Sequence, residues 1–243
     1  MMQIDEFIEL ARTRRSIRRF KFDPVPDEYL EKILEAARWA MSGANGQPWQ
    51  FIVIKDQETK NQMAEIGLRY STTAGVAETS RVSEYRHRQA EWATGVHPIY
   101  WKDAPVIIAV LGDIRTVMAS VVAGGFNFRH VYEQNMGNVT HMIHLATAAL
   151  GLGAQWVSIW MSFSEVLKPI LGVPAILDIF TLVPIGYPAY EPTSYRRKLS
   201  ELVSYEKYDM SKFRSDNDVM EFIRHLRERQ KAAKAYPHPE DQD

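Results

Sequence analysis

Residues 33–54 read ILEAARWAMSGANGQPWQFIVI and pass through three kinds of structure. Leu30, Ile33, Leu34 and Ala37 recur at helical spacing, which predicts an amphipathic helix over about 27–40. MSGANGQPW, residues 41–49, is rich in the Gly, Asn, Ser and Pro that turn a chain. FIVI, residues 51–54, is a short unbroken apolar run of the kind a buried strand shows. A helix led through a tight loop into a buried strand implies a sheet with helices packed on it.

The chain extends this pattern in both directions. Upstream, Ile4, Phe7, Ile8 and Ala11 predict a short amphipathic helix. It runs into ARTRRSIRRFK (11–21), where Arg12, Arg14, Arg15, Arg18, Arg19 and Lys21 are basic, and the turn DPVP (23–26) ends that stretch. Downstream, residues 56–69 predict a helix, and the periodicity is lost from Tyr70 to Lys102. Tyr85, Trp92 and Trp101 are among the aromatics there, and a long stretch without clear elements suggests a lid or an inserted excursion. PVIIAVLGD (105–113) is a second strand. About 126–150 is a long helix stopped by GLG (151–153), and AQWVSIW (154–160) is a third strand. SFSEVLKPILG (162–172) is a helix with a capping-box pattern between Ser162 and Glu165, and ILDIFTLVPIGYP (176–188) is a fourth strand. The last thirty residues read as a charged helix and a polar tail. No repeat or linker divides the chain, so the expectation is one α+β domain over 1–243, with a possible lid at 70–102 and a charged helix and tail at 210–243.

Composition removes several functions. Hydrophobic residues are 46% and charged ones 24%, which excludes general disorder. Twenty-nine Lys and Arg against thirty Asp and Glu leave a net charge of −1, without the basic excess of a protein that coats nucleic acid. There are no cysteines, so disulfides, thiolate metal sites and a cysteine nucleophile are excluded. With no leader pattern and no apolar run near membrane-spanning length, a cytoplasmic, soluble protein without a membrane partner is expected.

Three clusters offer chemistry. Arg14, Arg15, Ser16 and Arg18 combine guanidinium forks with a hydroxyl, a set suited to a phosphate monoester and equally compatible with a solvated face. In the 41–49 loop, Ser42, Asn45 and Gln47 are short polar groups, while Gly43 and Gly46 let backbone approach a flat ligand. An ordinary helix-to-strand turn has the same composition. Arg196, Arg197 and Lys198 form a third cluster, otherwise a surface charge run. His141 and His144, with His130 and Glu133 upstream, read as one polar helix edge, so no metal is expected. The basic residues of the C-terminal helix alternate with Glu221 and Glu228 as on a solvated helix, so no nucleic-acid partner is expected. No G-x-G-x-x-G follows a strand, which argues against a resident dinucleotide.

Taken together, RRSIRRF (14–20) and ILEAARWAMSGANGQPWQFIVI, followed in order by GLGAQW, LGVP, PIGYP and RRKLSELV, resemble the nitroreductase family of flavin mononucleotide (FMN) enzymes over about residues 5–205. The resemblance implies a mixed central sheet flanked by helices and an intertwined homodimer with the flavin at its interface. It implies that Arg14, Arg15, Ser16 and Arg18 hold the phosphate and ribityl, and that Arg196 and Arg197 form a second phosphate clamp. Met41, Ser42, Gly43, Asn45 and Gln47 would pack on the partner's flavin, and Ile159 and Trp160 would offer backbone amides toward flavin N5. The implied cycle is ping-pong: NAD(P)H gives a hydride to the flavin, and an electron-poor small molecule such as a nitroaromatic or quinone then receives it. No catalytic side chain is required. Tyr85 and Trp92 are the candidates for contact with that acceptor. The alternatives are a specialised flavin reductase, a dehalogenase-like or dehydrogenating enzyme of the same family, or a flavin-binding protein without turnover. The Glu-x-x-x-Tyr spacing of the related iodotyrosine deiodinases is not found in 70–102.

Overall fold

The computed structural model describes residues 3–79, 99–120, 128–159, 161–192 and 194–232. The chain divides into two units, Met1–Pro192 and Thr193–Asp243. In chain order the first unit holds α1 (Ile4–Thr13), α2 (Asp27–Ala37), β1 (Trp49–Ile54), α3 (Gln57–Thr79), β2 (Val106–Gly112), α4 (Ile114–Ser120), α5 (Phe128–Ala149), β3 (Gly153–Ala154), β4 (Val157–Ser158), α6 (Met161–Leu171) and β5 (Asp178–Gly186).

Strand β2, VIIAVLG, is buried from end to end and therefore has two faces to cover. The period of two along a strand sorts its side chains. Val106, Ile108 and Val110 enter one core, closed by Leu30, Ile33 and Ala37 of α2 and by Met136, Val139 and Ile143 of α5. Ile107, Ala109 and Leu111 enter the other, closed by Met63 and Ala64 of α3 and by Phe163 and Leu167 of α6. The result is an α+β layer structure with helices on both faces of one sheet.

β1 pairs with β2, β2 with β5, and β5 takes β3 and β4 along its other side, every ladder antiparallel. The parallel element among the described residues is the Ser16–Ala154 bridge. With the Phe20–Pro188 bridge it lays residues 16–20 against the β3 edge. A β-bulge interrupts the β2–β5 ladder: Val110 faces Thr181 and Leu111 faces Ile179. Phe180 is the extra residue, and the parity of β5 flips there. Val183 and Ile185 lie in the first core above the bulge, whereas below it Ile179 faces the second core and Phe180 packs on the first.

The structure departs from the sequence expectations at four places. Helix α2 ends at Ala37 and gives way to a turn before the loop. Helix α3 continues to Thr79, past Tyr70, because YSTTAGVAET carries no proline and backbone hydrogen bonding persists where amphipathic periodicity ends. Its start is capped by Asp56, whose carboxylate accepts from the Thr59 N–H at 2.7 Å and hydroxyl at 2.6 Å. The expected third strand is split into β3 and β4 where Gln155 lies opposite Pro184. Gln155 N–H donates to the Pro184 carbonyl at 3.1 Å, but proline has no N–H to return. Finally, α6 begins at Met161, so Ser162 lies inside the first turn, and the Glu165 carboxylate accepts from Lys168 Nζ at 2.5 Å instead of closing a capping box.

The second unit holds helix α7 (Asp216–Ala232). Its start is capped by Ser215, whose N–H donates to Asp218 at 2.8 Å and whose Oγ accepts from the Asp218 N–H at 3.3 Å. None of the residues whose burial is described in this unit is buried.

Gly153 is the tightest joint between the basic segment and the sheet. A Cβ there would lie 2.4 Å from Ile17 Cγ1 and 2.7 Å from Ile17 Cβ, and Ile17 is itself buried. Gly153→Ala should force residues 16–18 off β3 and cost about 1–3 kcal/mol of stability, read from the urea unfolding midpoint.

Candidate functional site

Helix α1 ends at Thr13, and Arg14 leaves it with non-helical backbone, its N–H still donating to the Leu10 carbonyl at 2.9 Å. The chain then meets β3: Ile17 N–H donates to the Ala154 carbonyl at 2.9 Å. Arg14, Arg15 and Ser16 are half-buried along this contact, and Arg18 is exposed. The Arg15 guanidinium folds back onto the carbonyls of Arg12 and Arg14, the latter at 2.8 Å. It therefore faces its own backbone. Arg19 lies over the Tyr100 ring, 3.8 Å from its centroid.

Behind this segment is His144 of α5, 4% exposed, with neither ring nitrogen hydrogen-bonded. Burial lowers its pKa to about 4, and the charges of Arg14 and His141 act in the same direction. His141 is exposed while His144 is buried, so the two do not form the polar edge that their spacing suggested. Among the described residues no cluster of His, Asp or Glu is arranged to hold a metal ion.

The 41–47 loop is fastened to the same helix, through its main chain. The Gly43 N–H donates to Asn135 Oδ1 at 3.0 Å, and Asn138 Nδ2 donates to the Met41 carbonyl at 3.2 Å. Asn135 and Asn138 are one turn apart on α5 and hold the loop as a pair. The loop closes on itself, Gln47 N–H donating to Ser42 Oγ at 3.1 Å and Gln47 Nε2 to the Asn45 carbonyl at 3.3 Å. Its left-handed residues are Ala44 (φ 51°), Asn45 (φ 55°) and Gln47 (φ 42°), not the glycines. Non-glycine residues in that region cost about 1–3 kcal/mol each. Gly43 is needed for closeness: a Cβ there would stand 3.0 Å from Val131 Cγ1.

Ile159 lines a cleft of about 390 Å³ with Arg129, Tyr132, Glu133, Met161, Ser164, Asp178, Ile179 and Phe180. Arg129 pairs with Glu133 at 3.0 Å and with Asp178 at 3.6 Å. The buried Tyr132 hydroxyl has no hydrogen-bond partner, and burial together with the Asp178 carboxylate raises its pKa, so it stays protonated. Phe180, turned by the bulge, stands edge-on to both Tyr132 and Trp156.

Of the residues singled out in the sequence, the first unit thus joins Arg14, Arg15 and Ser16 to the β3–β4 strip that leads to Ile159, and pins Met41–Gln47 to α5. Arg196 and Arg197 belong to the second unit. There Arg196 donates to Ser194 Oγ at 2.6 Å, and Arg197 donates to the Glu201 carbonyl at 3.0 Å. Trp160, Tyr85 and Trp92 lie outside the described residues. Sequence reasoning missed Asn135, Asn138, Trp156 and the cleft; their partners are distant in the chain, and no local pattern marks them.

His144 gives this site a pH signature. Its pKa falls from the ordinary 6.5 to about 4, so in that window the unfolded chain binds a proton that the folded chain refuses. The contribution is whole above the ordinary value, shrinks as pH falls, and levels off near the folded pKa, a loss of about 3 kcal/mol. His144→Phe should lack this component, seen as a smaller drop in unfolding free energy between about pH 7 and about pH 4.5 than in the wild type.

The Nitroreductase family model matches residues 11–187. Iodotyrosine deiodinase 1 of Rattus norvegicus is 28% identical over 83% of this chain and 70% of its own length. The matches to the Sus scrofa and Mus musculus enzymes span 63% and 65% of theirs, under two thirds. A candidate NADH dehydrogenase/NAD(P)H nitroreductase of Methanothermobacter thermautotrophicus is 29% identical over 77% of this chain and 80% of its own. Among solved structures, the FMN complex of a candidate nitroreductase from Desulfovibrio desulfuricans is 30% identical, covers 83% of this chain and 97% of that one, and superposes with a TM-score of 0.58. The family match runs from the basic segment through the 41–47 loop to the end of β5, taking in every strand of the sheet, and the chain belongs to the nitroreductase family.

Proposed function

We propose that this protein is a homodimeric FMN-dependent oxidoreductase that moves reducing equivalents from NAD(P)H to an electron-poor small molecule such as a nitroaromatic or quinone. The observation that carries the reading is the Ser16–Ala154 bridge. It sets a basic segment suited to a phosphate beside the strip that ends at Ile159, where a ring edge would meet a backbone N–H. FMN has that polarity, a dianionic phosphate at one end and a flat ring at the other.

The residues fit the group. Arg14 and Ser16 would take the phosphate by charge-assisted and neutral hydrogen bonds, with Arg18 at the exposed rim. Arg15, folded onto its own carbonyls, would stiffen the segment. Arg196 and Arg197 are the proposed second clamp. The strained 41–47 loop, held by Asn135 and Asn138, presents a preorganised polar surface for a partner's flavin, and Ile159 and Trp160 would offer N–H groups at its N5 edge. Bound FMN supplies the hydride chemistry, accepting from reduced nicotinamide and delivering to the acceptor. The chain's part is to bind, orient and exclude water, and no side chain is assigned as acid or base.

Association of two chains is supported by exposed apolar surface. Helix α1 buries none of its residues, leaving Ile4, Phe7 and Ile8 in solvent, and Trp39 and Met41 beside the loop are 71% and 75% exposed. The likeness to iodotyrosine deiodinase favours a second reading, reductive removal of halide from a halogenated aromatic. Anaerobic mixing separates the readings: NAD(P)H should bleach the yellow protein, and a panel of nitroaromatic, quinone and halophenol should restore its colour selectively. Protein that takes up no FMN would overturn the proposal, and bound flavin that NAD(P)H cannot bleach would mark a binding protein.

Two further outcomes are expected. Arg14→Ala should weaken FMN by about ten- to a hundredfold, the worth of one charge-assisted hydrogen bond, and leave riboflavin affinity nearly unchanged. In sedimentation, FMN should shift the protein toward dimer by mass action, because a monomer lacks the partner's loop. A monomer with full flavin affinity would contradict the shared site.

A further inference from the structure

The short span between β3 and β4 carries a side chain that the reading above leaves unused. Trp156 stands two residues after Ala154, which bridges to Ser16, and three before Ile159. The His144 ring stands beside one face of its indole in an offset stack, nearly parallel at 8° with centroids 6.0 Å apart. Phe180 meets it at 6.2 Å and 70°, and Tyr132 backs Phe180 at 6.4 Å and 89°. Yet Trp156 is 37% exposed, so an indole braced on one face and one edge turns the rest of its surface outward. His144 makes no hydrogen bond through either nitrogen and contributes its flat face. A partly exposed aromatic surface with a rigid backing suits a flat ring.

We propose that Trp156, braced by His144 and Phe180, is the platform on which the flavin ring of the same chain rests. This rests on the FMN reading and adds to it the residue that meets the ring itself. Trp156 lies at the split of the third strand: opposite Pro184 the ladder is interrupted, and Gln155 and Trp156 fall between the two strand pieces. A stacked ring is indifferent to the phosphate, so the platform should serve riboflavin and FMN equally, unlike Arg14.

Apo-protein titrated separately with FMN and riboflavin tests this, with flavin fluorescence read throughout. Wild-type protein should quench the emission of bound flavin. Trp156→Leu should lose about tenfold or more in affinity for both ligands alike, the worth of one aromatic stacking contact. Trp156→Phe should keep affinity within about threefold while bound flavin becomes brighter. The phenylalanine variant guards against a folding defect in the leucine variant. If wild type binds FMN and both variants match it in affinity and in quenching, the platform is wrong and the FMN reading stands. If wild type binds neither ligand, the FMN reading fails and takes the platform with it. A Trp156→Leu loss confined to FMN would also overturn the platform, because it would place the residue at the phosphate.

Discussion

Burial of β2 on both faces is the constraint on which the rest of the first unit depends. A strand reading VIIAVLG has no face that water can share, so helices must cover it twice. Its alternation assigns α2 and α5 to one face and α3 and α6 to the other. The two-faced core also explains why β1, β2 and β5 are consecutive neighbours although about fifty residues separate β1 from β2 and about sixty-five separate β2 from β5. Only the two-sided core offsets the entropy of closing loops of that length.

The candidate site grows out of the two places where this order is broken. The bulge at Phe180 turns one ring from the parity of β5 toward α5, and Pro184 divides the neighbouring strand where a ladder bond is missing. Both breaks lie on the same strand, and Phe180 at the bulge meets Trp156 in the strip between Ser16 and Ile159. Breaks in regular pairing are expected beside sites, because they aim side chains where a regular ladder cannot.

Helix α5 does a second job beyond covering the sheet. Its core face holds Met136, Val139 and Ile143, while Asn135, Asn138 and His144 meet the 41–47 loop and the basic segment's strip. The polar groups on it divide into two sorts. Thr140 and Thr147 are satisfied by carbonyls one turn back, at 2.7 Å each. Asn135 Nδ2 and both nitrogens of His144 are not satisfied at all. Unmet groups of this kind cost about 1–3 kcal/mol each, and on α5 they fall at Asn135, which holds the 41–47 loop, and at His144, which stands parallel to the Trp156 ring.

Apolar periodicity was enough to read β1, β2, β5, α2 and α5 with small errors at the ends, because runs such as Val106–Leu111 admit one kind of environment. The same local reading located the basic segment and the 41–47 loop, since guanidinium clusters and turn residues announce themselves without a partner. What it could not supply were properties that arise between distant residues. Asn135 meets Gly43 across 92 positions, and nothing near either residue foretells the pairing. His144 looks polar by spacing and is buried by packing. AQWVSIW reads as one strand until Pro184, lying opposite, withholds its N–H. Sequence alone determined which residues are apolar, charged or able to turn, and hence the layers and the chemistry on offer. Tertiary structure alone decided which polar groups go unsatisfied and where the aromatic rings face, because both depend on the neighbours that folding brings from elsewhere in the chain.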